Sequence, residues 1–281
     1  MDRYEENEVM INMIGIVPQN YLHLIRNDEM HMVLAQLLGE PGMETYTHFY
    51  TEEIKYHAYT ILDNGAAEGT PMPIEQLVKK AELLRASELV LPDAYMDSEK
   101  TLEWHAKALE YLRNYYGDYQ DIPFNLLIVP QGKNEEEWLA CAKALITHYG
   151  DVIQTIGIPK HLIKTLDNRD ARLGVIAKLH QDPEIDLAEF NIHLLGCWKT
   201  PLEVLTIAKV AHQGDIPPIR SCDSAIPYVY ARNGKRFEDD DRPDFEPIDF
   251  HSGACDETQL EINLKDWHNI GNLTTNNILY M

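Results

Sequence analysis

The chain has 281 residues, 44% of them hydrophobic and 25% charged, which suits one large globular domain or two small ones with a core that needs no disulfide or metal. Its formal net charge of −22 argues against a protein that coats nucleic acid non-specifically, because phosphate binding is driven by Lys and Arg. No apolar run approaches the ~20 residues needed to cross a membrane. The start, MDRYEENEVM, lacks the basic-then-apolar layout of a signal peptide, so a cytoplasmic protein without membrane contact is expected.

Short apolar runs recur along the chain, at Met10–Val17, Met32–Leu38, Tyr59–Leu62, Glu88–Leu91, Phe124–Val129, Val152–Ile158, Ile192–Leu195 and Ile219–Cys222. Most are continuous rather than alternating, as expected for strands of a parallel sheet buried on both faces. Met32–Leu38 (MVLAQLL) reads equally well as helix. Between the runs lie amphipathic stretches. Ile74–Arg85 places Ile74, Leu77, Val78, Ala81 and Leu84 on one face, and Ser98–Tyr115 opens on Ser98 as candidate N-cap. Glu135–Tyr149 and Arg172–His180 have similar spacing, and Thr200-Pro201 opens Leu202–Ala211 with a cap and a first-turn proline. Strand and helix alternating about eight times predicts an α/β fold of the (β/α)8 TIM-barrel type over residues 1–237. A doubly wound open sheet is the competing layout. From Phe237 onward acids and prolines predict an irregular acidic C-terminal extension, 238–281, packed on the barrel.

In a parallel barrel the active site is built where the strands end. The residues there are Asp63, Asp93, Gln131, Gly157, Gly196 and Asp223. Carboxylates and an amide converging on one rim suit recognition of a polar heterocycle and acid/base chemistry at a sugar carbon. Each also has a plainer account. Asp63-Asn64-Gly65 suits a tight turn, Asp93 could cap the next helix, Gln131-Gly132 could be only a loop, and Asp223-Ser224 suits a capping turn. The cysteines, Cys141, Cys197, Cys222 and Cys255, form no C-x-x-C pair and read as reduced thiols.

Taken together these segments resemble the tRNA-guanine transglycosylase superfamily. Asp223-x-x-x-Pro227-x-x-x-Ala231-Arg232-Asn233-Gly234 has the spacing of that family's nucleophile segment. Asp63-Asn64-Gly65 stands where the family has D-S-G-G-F-Q, and Val129-Pro130-Gln131-Gly132 is similar to its V-Q-G-G. Ile156-Gly157-Ile158 is similar to its G-G-L, and His193-Leu194-Leu195-Gly196 with Thr200-Pro201 to its H-L-L-G…T-P. The resemblance covers about Tyr59–Phe237. It implies that Asp223 attacks the ribose anomeric carbon and that Asp63 is the general acid/base. It further implies that Asp93 and Gln131 bind the base edge, and that the Gly157 and Gly196 backbones line the pocket. The basic groups Lys160, Lys164, Arg169, Arg172 and Arg220, Arg232, Lys235, Arg236 flank these segments and are expected to meet phosphates, a solvated helix face being the alternative.

The chain departs from the family at two places. Asp63 is followed by Asn64-Gly65-Ala66-Ala67-Glu68, which changes the pocket wall, and the zinc motif C-x-C-x-x-C is missing. Only Cys255, with His251 and His268 nearby, remains there, so no zinc, metal or other cofactor is expected. The lost zinc element makes the chain most like the compact relatives, found in viruses of bacteria, that place 7-deazaguanine bases in DNA. Guanine in DNA and a base such as 7-cyano-7-deazaguanine are therefore the expected substrates, in the host cytoplasm if the source is viral. The alternatives are tRNA as the polymer, or an inactive barrel that binds nucleic acid or a partner subunit; a homo- or hetero-oligomer is left open.

Overall fold

The computed structural model describes residues 11–54, 56–66, 69, 71–197, 201–237 and 247–271. Eight parallel strands form one sheet: β1 Asn12–Gly15, β2 Met30–Leu34, β3 Tyr59–Asp63, β4 Glu88–Val90, β5 Asn125–Ile128, β6 Thr155–Pro159, β7 Asn191–Leu195 and β8 Ser221–Ser224. The strand order is β1-β8-β7-β6-β5-β4-β3-β2, and β1 also lies against β2, so the sheet curls into a nearly closed (β/α)8 barrel. Helices alternate with the strands: α1 Glu44–His48, α2 Ile74–Leu84, α3 Ser98–Tyr116, α4 Glu135–Tyr149, α5 Leu162–Thr165, α6 Ala171–Gln181, α7 Leu202–His212, α8 Ile226–Arg232 and α9 Glu257–Gly271.

The two-residue period of each strand divides its side chains between two cores. Ile14, Met30, Met32, Ile61, Val90, Leu127 and Val129 fill the barrel. Val33, Leu62, Leu89, Leu126, Ile128, Ile156, Ile192 and Leu194 point outward and pack against the helices. Burial on both faces explains why the sequence runs were continuous.

Several expected boundaries move. The stretch Met32–Leu38 divides: its start belongs to β2, and a 3-10 turn takes Ala35–Leu37. The N-cap of α3 is Asp97, whose carboxylate accepts the Lys100 N–H at 3.0 Å, rather than Ser98. Asn134 caps α4 in the same way. Met10, Thr200 and the acidic run 238–246 lie outside the described residues.

The region after Phe237 is not irregular throughout. Glu257–Gly271 forms α9, with Leu260, Leu264, Trp267 and Gly271 buried at three- and four-residue intervals. The first crossover, from β1 to β2, uses a 3-10 stretch, Gln19–Ile25, where the other crossovers carry α-helices. It is α9 that covers the outer face of β1. The Ile11 N–H donates to the Gly271 carbonyl at 3.0 Å, and a Cβ on Gly15 would sit 2.7 Å from Leu264 Cδ2. Gly15 is therefore the small residue that lets α9 approach.

Leu264 is 3% exposed in this contact. Leu264→Ala is expected to cost about 2–5 kcal/mol through lost burial and an unfilled cavity. Urea unfolding of both proteins measures it, and a change below about 0.5 kcal/mol, the size typical of surface substitutions, would show that α9 is not an integral part of the barrel wall.

Candidate active site

The C-terminal ends of the strands carry two polar clusters on opposite arcs of the barrel mouth, one on β3–β5 and one on β6–β8.

On the first arc, Asp93 is 4% exposed and lies between two amides. Its Oδ1 accepts from Asn64 Nδ2 at 2.7 Å and its Oδ2 from Gln131 Nε2 at 2.6 Å. Asn64 Nδ2 also donates to the Leu91 carbonyl, and its Oδ1 accepts the Ala66 N–H, both at 2.7 Å. The Met96 N–H donates to Gln131 Oε1 at 3.2 Å. Asp93 thus does not cap α3, and Gln131 is more than a loop residue. Burial pushes the Asp93 carboxyl up to about 6, against the partial relief of the Asn64 and Gln131 hydrogen bonds. Asp63 ends β3 half-buried, and its Oδ2 accepts the Gly65 N–H at 3.1 Å. The tight turn anticipated there forms, with Gly65 at φ 79°, and it leaves Asp63 at the mouth.

On the second arc, Asp223 is 7% exposed near the end of β8. Its Oδ1 accepts both the Gly196 N–H and His193 Nε2, each at 3.0 Å. The helix-capping role belongs to its neighbour Ser224, whose hydroxyl accepts the Ile226 N–H at 3.1 Å. Burial opposes charge on Asp223, but the His193 hydrogen bond, the positive charge of that ring when it is protonated, the Gly196 N–H and the nearby Lys160 ammonium outweigh it and hold the carboxyl below its ordinary range. Gly196 sits at φ 70°, and a Cβ there would lie 2.6 Å from Lys160 Cδ. Gly157 faces the barrel interior, where a Cβ would overlap Leu195 and Leu127.

Of the expected phosphate contacts, Lys160 stands beside Asp223, whereas Lys164 and Arg169 are exposed farther out on α5 and the following loop. Arg232 is half-buried over the Tyr228 ring and donates to the Pro247 carbonyl, and the Lys235 carbonyl accepts from Asn263. Two members of the basic groups are internal. Arg172 is fully buried, paired with both Glu203 oxygens at 2.6 and 2.7 Å and donating to the Gly196 carbonyl at 2.8 Å. Arg220 pairs with the fully buried Glu88 at 2.6 Å. Neither presents its charge to solvent as an Arg on a phosphate-binding face would. Both are spoken for by acids that are remote in sequence.

His193 and Asn64, which the sequence offered only as motif members with no role, and Ser221, which it did not offer at all, are the further residues of this site. His193 Nδ1 lies 2.8 Å from Ser221 Oγ, its neighbour across the β7–β8 ladder. The available signal was parity: Ser221 and Asp223 are two apart on one strand and so share its inner face. Among the described residues no group of three or more His, Cys, Asp or Glu side chains is arranged to hold a metal ion. Nor is any helix long and apolar enough to cross a membrane. No protein-family model and no curated protein matches the chain.

The buried Asp93 carboxyl makes a pH prediction. Folded, it keeps its proton up to about 6, whereas an ordinary one loses it near 3.8. The folded state therefore binds more protons in that window, and this group's contribution to stability falls as pH rises across it. Chemical denaturation of wild type and Asp93→Asn at about pH 4 and 6 should show the decline reduced in the variant; equal declines contradict the assignment.

Proposed function

We propose that the protein is a transglycosylase that exchanges guanine in DNA for a 7-deazaguanine base, such as 7-cyano-7-deazaguanine, through a covalent glycosyl-enzyme on Asp223. The observation that carries this is the state of Asp223: a nearly buried carboxylate at the end of a barrel strand, kept anionic, with its Oδ1 tied by Gly196 and His193. It stands at the head of the segment that resembles the family's nucleophile run, Asp223 to Gly234.

The chemistry is a double displacement with retention. Asp223 attacks the anomeric carbon and forms a C–O ester bond while the glycosidic C–N bond breaks, its electron pair passing to the departing guanine. Asp63, half-buried at the mouth, gives that base a proton and later takes one from the incoming deazaguanine. The new base nitrogen then attacks the same carbon and releases Asp223. Asp93, Asn64 and Gln131 supply a rigid donor and acceptor set on the facing arc for the polar edge of the base. The nucleotide has to be single-stranded or flipped from the stack, since its base and anomeric carbon both enter the mouth. Lys160, beside Asp223, is placed to meet a flanking phosphate, with Lys164, Arg169, Arg232 and Lys235 as outer contacts.

Purified protein incubated with labelled 7-cyano-7-deazaguanine and either DNA or tRNA tests the proposal. Label is expected in DNA, and Asp223→Asn is expected to reduce incorporation by at least about 10³-fold, in line with loss of a covalent nucleophile. Incorporation into tRNA alone reverses the choice of polymer. Unchanged activity in Asp223→Asn would sink the nucleophile assignment.

A further inference from the structure

A single line of hydrogen bonds runs up through the barrel to Asp223. At its base the Arg220 guanidinium is held by both Glu88 oxygens and by Thr155 Oγ1, over the ring of Tyr59. Thr155 Oγ1 itself donates to Glu88. Arg220 Nε donates to Ser221 Oγ at 3.3 Å, Ser221 Oγ lies 2.8 Å from His193 Nδ1, and His193 Nε2 lies 3.0 Å from Asp223 Oδ1. His193, Ser221 and Glu88 are fully buried.

The donors fix the direction of this line. A guanidinium only donates, so Ser221 Oγ accepts from Arg220 and has one proton left to give. Among the described residues the acceptor in its reach is His193 Nδ1. An imidazolium would turn that nitrogen into a donor, leave the buried hydroxyl proton without an acceptor, and add a positive charge close to Arg220. A neutral ring protonated on Nε2 satisfies every member. We propose that Arg220 and Ser221 are positioning residues that hold His193 as the neutral Nε2–H tautomer, so that Asp223 accepts on Oδ1 and presents Oδ2 as the attacking atom. The choice of attacking atom rests on Asp223 being the nucleophile; the tautomer does not.

The charged or titratable groups facing His193 are Asp223 on its own side of the mouth, Arg220 and Glu88 through the hydrogen-bonded line, and Lys160 beyond Asp223. The ladder partners of His193, Gly157 on β6 and Ser221 on β8, carry no charge, nor does Ile14 on β1, the ladder partner of Asp223. Ser221→Ala removes the donor that keeps Nδ1 unprotonated, while the Asp223 carboxylate continues to favour a second proton on the ring. Ser221→Thr keeps the hydroxyl.

Protein labelled with ¹⁵N in its histidine rings, with His193 assigned by the signal lost in His193→Gln, reads the tautomer directly by long-range ¹H–¹⁵N correlation. Wild type and Ser221→Thr should show protonated Nε2 and bare Nδ1 near neutral pH. Ser221→Ala should lose that single pattern, with protonated Nδ1 appearing at the same pH. In the exchange reaction kcat should fall in Ser221→Ala and be kept in Ser221→Thr, with KM unchanged in both. An Nδ1–H or doubly protonated ring in wild type, or a Ser221→Ala ring with the same nitrogen pattern as wild type, overturns the proposal. If Ser221→Ala does not fold, the wild-type and Ser221→Thr tautomers decide it. Because the spectra need no substrate, a missing exchange activity refutes the proposed function while the tautomer stands or falls by itself.

Discussion

The interior of a nearly closed parallel barrel filled by side chains admits little water, so every polar group placed there must find its partner in the protein. That constraint orders this molecule from floor to mouth. Glu88 is paired with Arg220 inside the barrel and Arg172 with Glu203 behind it, while Asp93 is hydrogen-bonded by two amides and Asp223 by an imidazole and a backbone N–H. Neither ion pair is a surface pair of small consequence. Removing one partner of either strands a charge that hydration hardly reaches, at a cost of about 3–5 kcal/mol.

The pairing also transmits position. Arg172 Nη1 donates to the Ile158 carbonyl on β6 and the Gly196 carbonyl after β7, at 3.3 and 2.8 Å, and so ties two strand ends together. The same Gly196 residue gives its N–H to Asp223. Its left-handed backbone, and the lack of a side chain where Lys160 passes, allow that turn. The geometry around Asp223 is thereby set from outside the barrel by α6 and α7, which carry Arg172 and Glu203, as well as from the floor through Ser221.

How much of this was legible in the sequence depended on the range of the interaction. Strands buried on both faces declare themselves as continuous apolar runs, and their ends located Asp63, Asp93, Gln131 and Asp223 without knowledge of the fold. The partners did not declare themselves. His193 and Ser221 are 28 residues apart, Asn64 and Asp93 are 29, and Glu88 and Arg220 are 132. Only strand register brings them together. Arg172 and Arg220 were grouped with the other Lys and Arg residues of their regions as phosphate contacts or a solvated face, and only the fold reveals the acids opposite them. In α9 the acids between Leu260, Leu264 and Trp267 concealed a helical stripe. Capping was ambiguous for a related reason: Asp93 and Asp97, or Asp223 and Ser224, are equally plausible caps until the backbone direction is known.

The division of labour across the mouth follows from the same pairing rule. One arc holds a carboxyl that burial keeps near neutrality up to about 6, and the other holds a carboxylate that its donors keep charged. Two carboxyls with opposed environments are what a reaction needs that both reads a heterocycle and forms a bond to a sugar. The central claim is that Asp223 forms this bond. Denaturing the protein rapidly during reaction with a guanine-containing oligonucleotide, then mapping the attached sugar by peptide mass spectrometry, tests it most directly. A glycosyl ester on Asp223 is the predicted result; an adduct on another residue, or base exchange that proceeds with no adduct at Asp223, would contradict it.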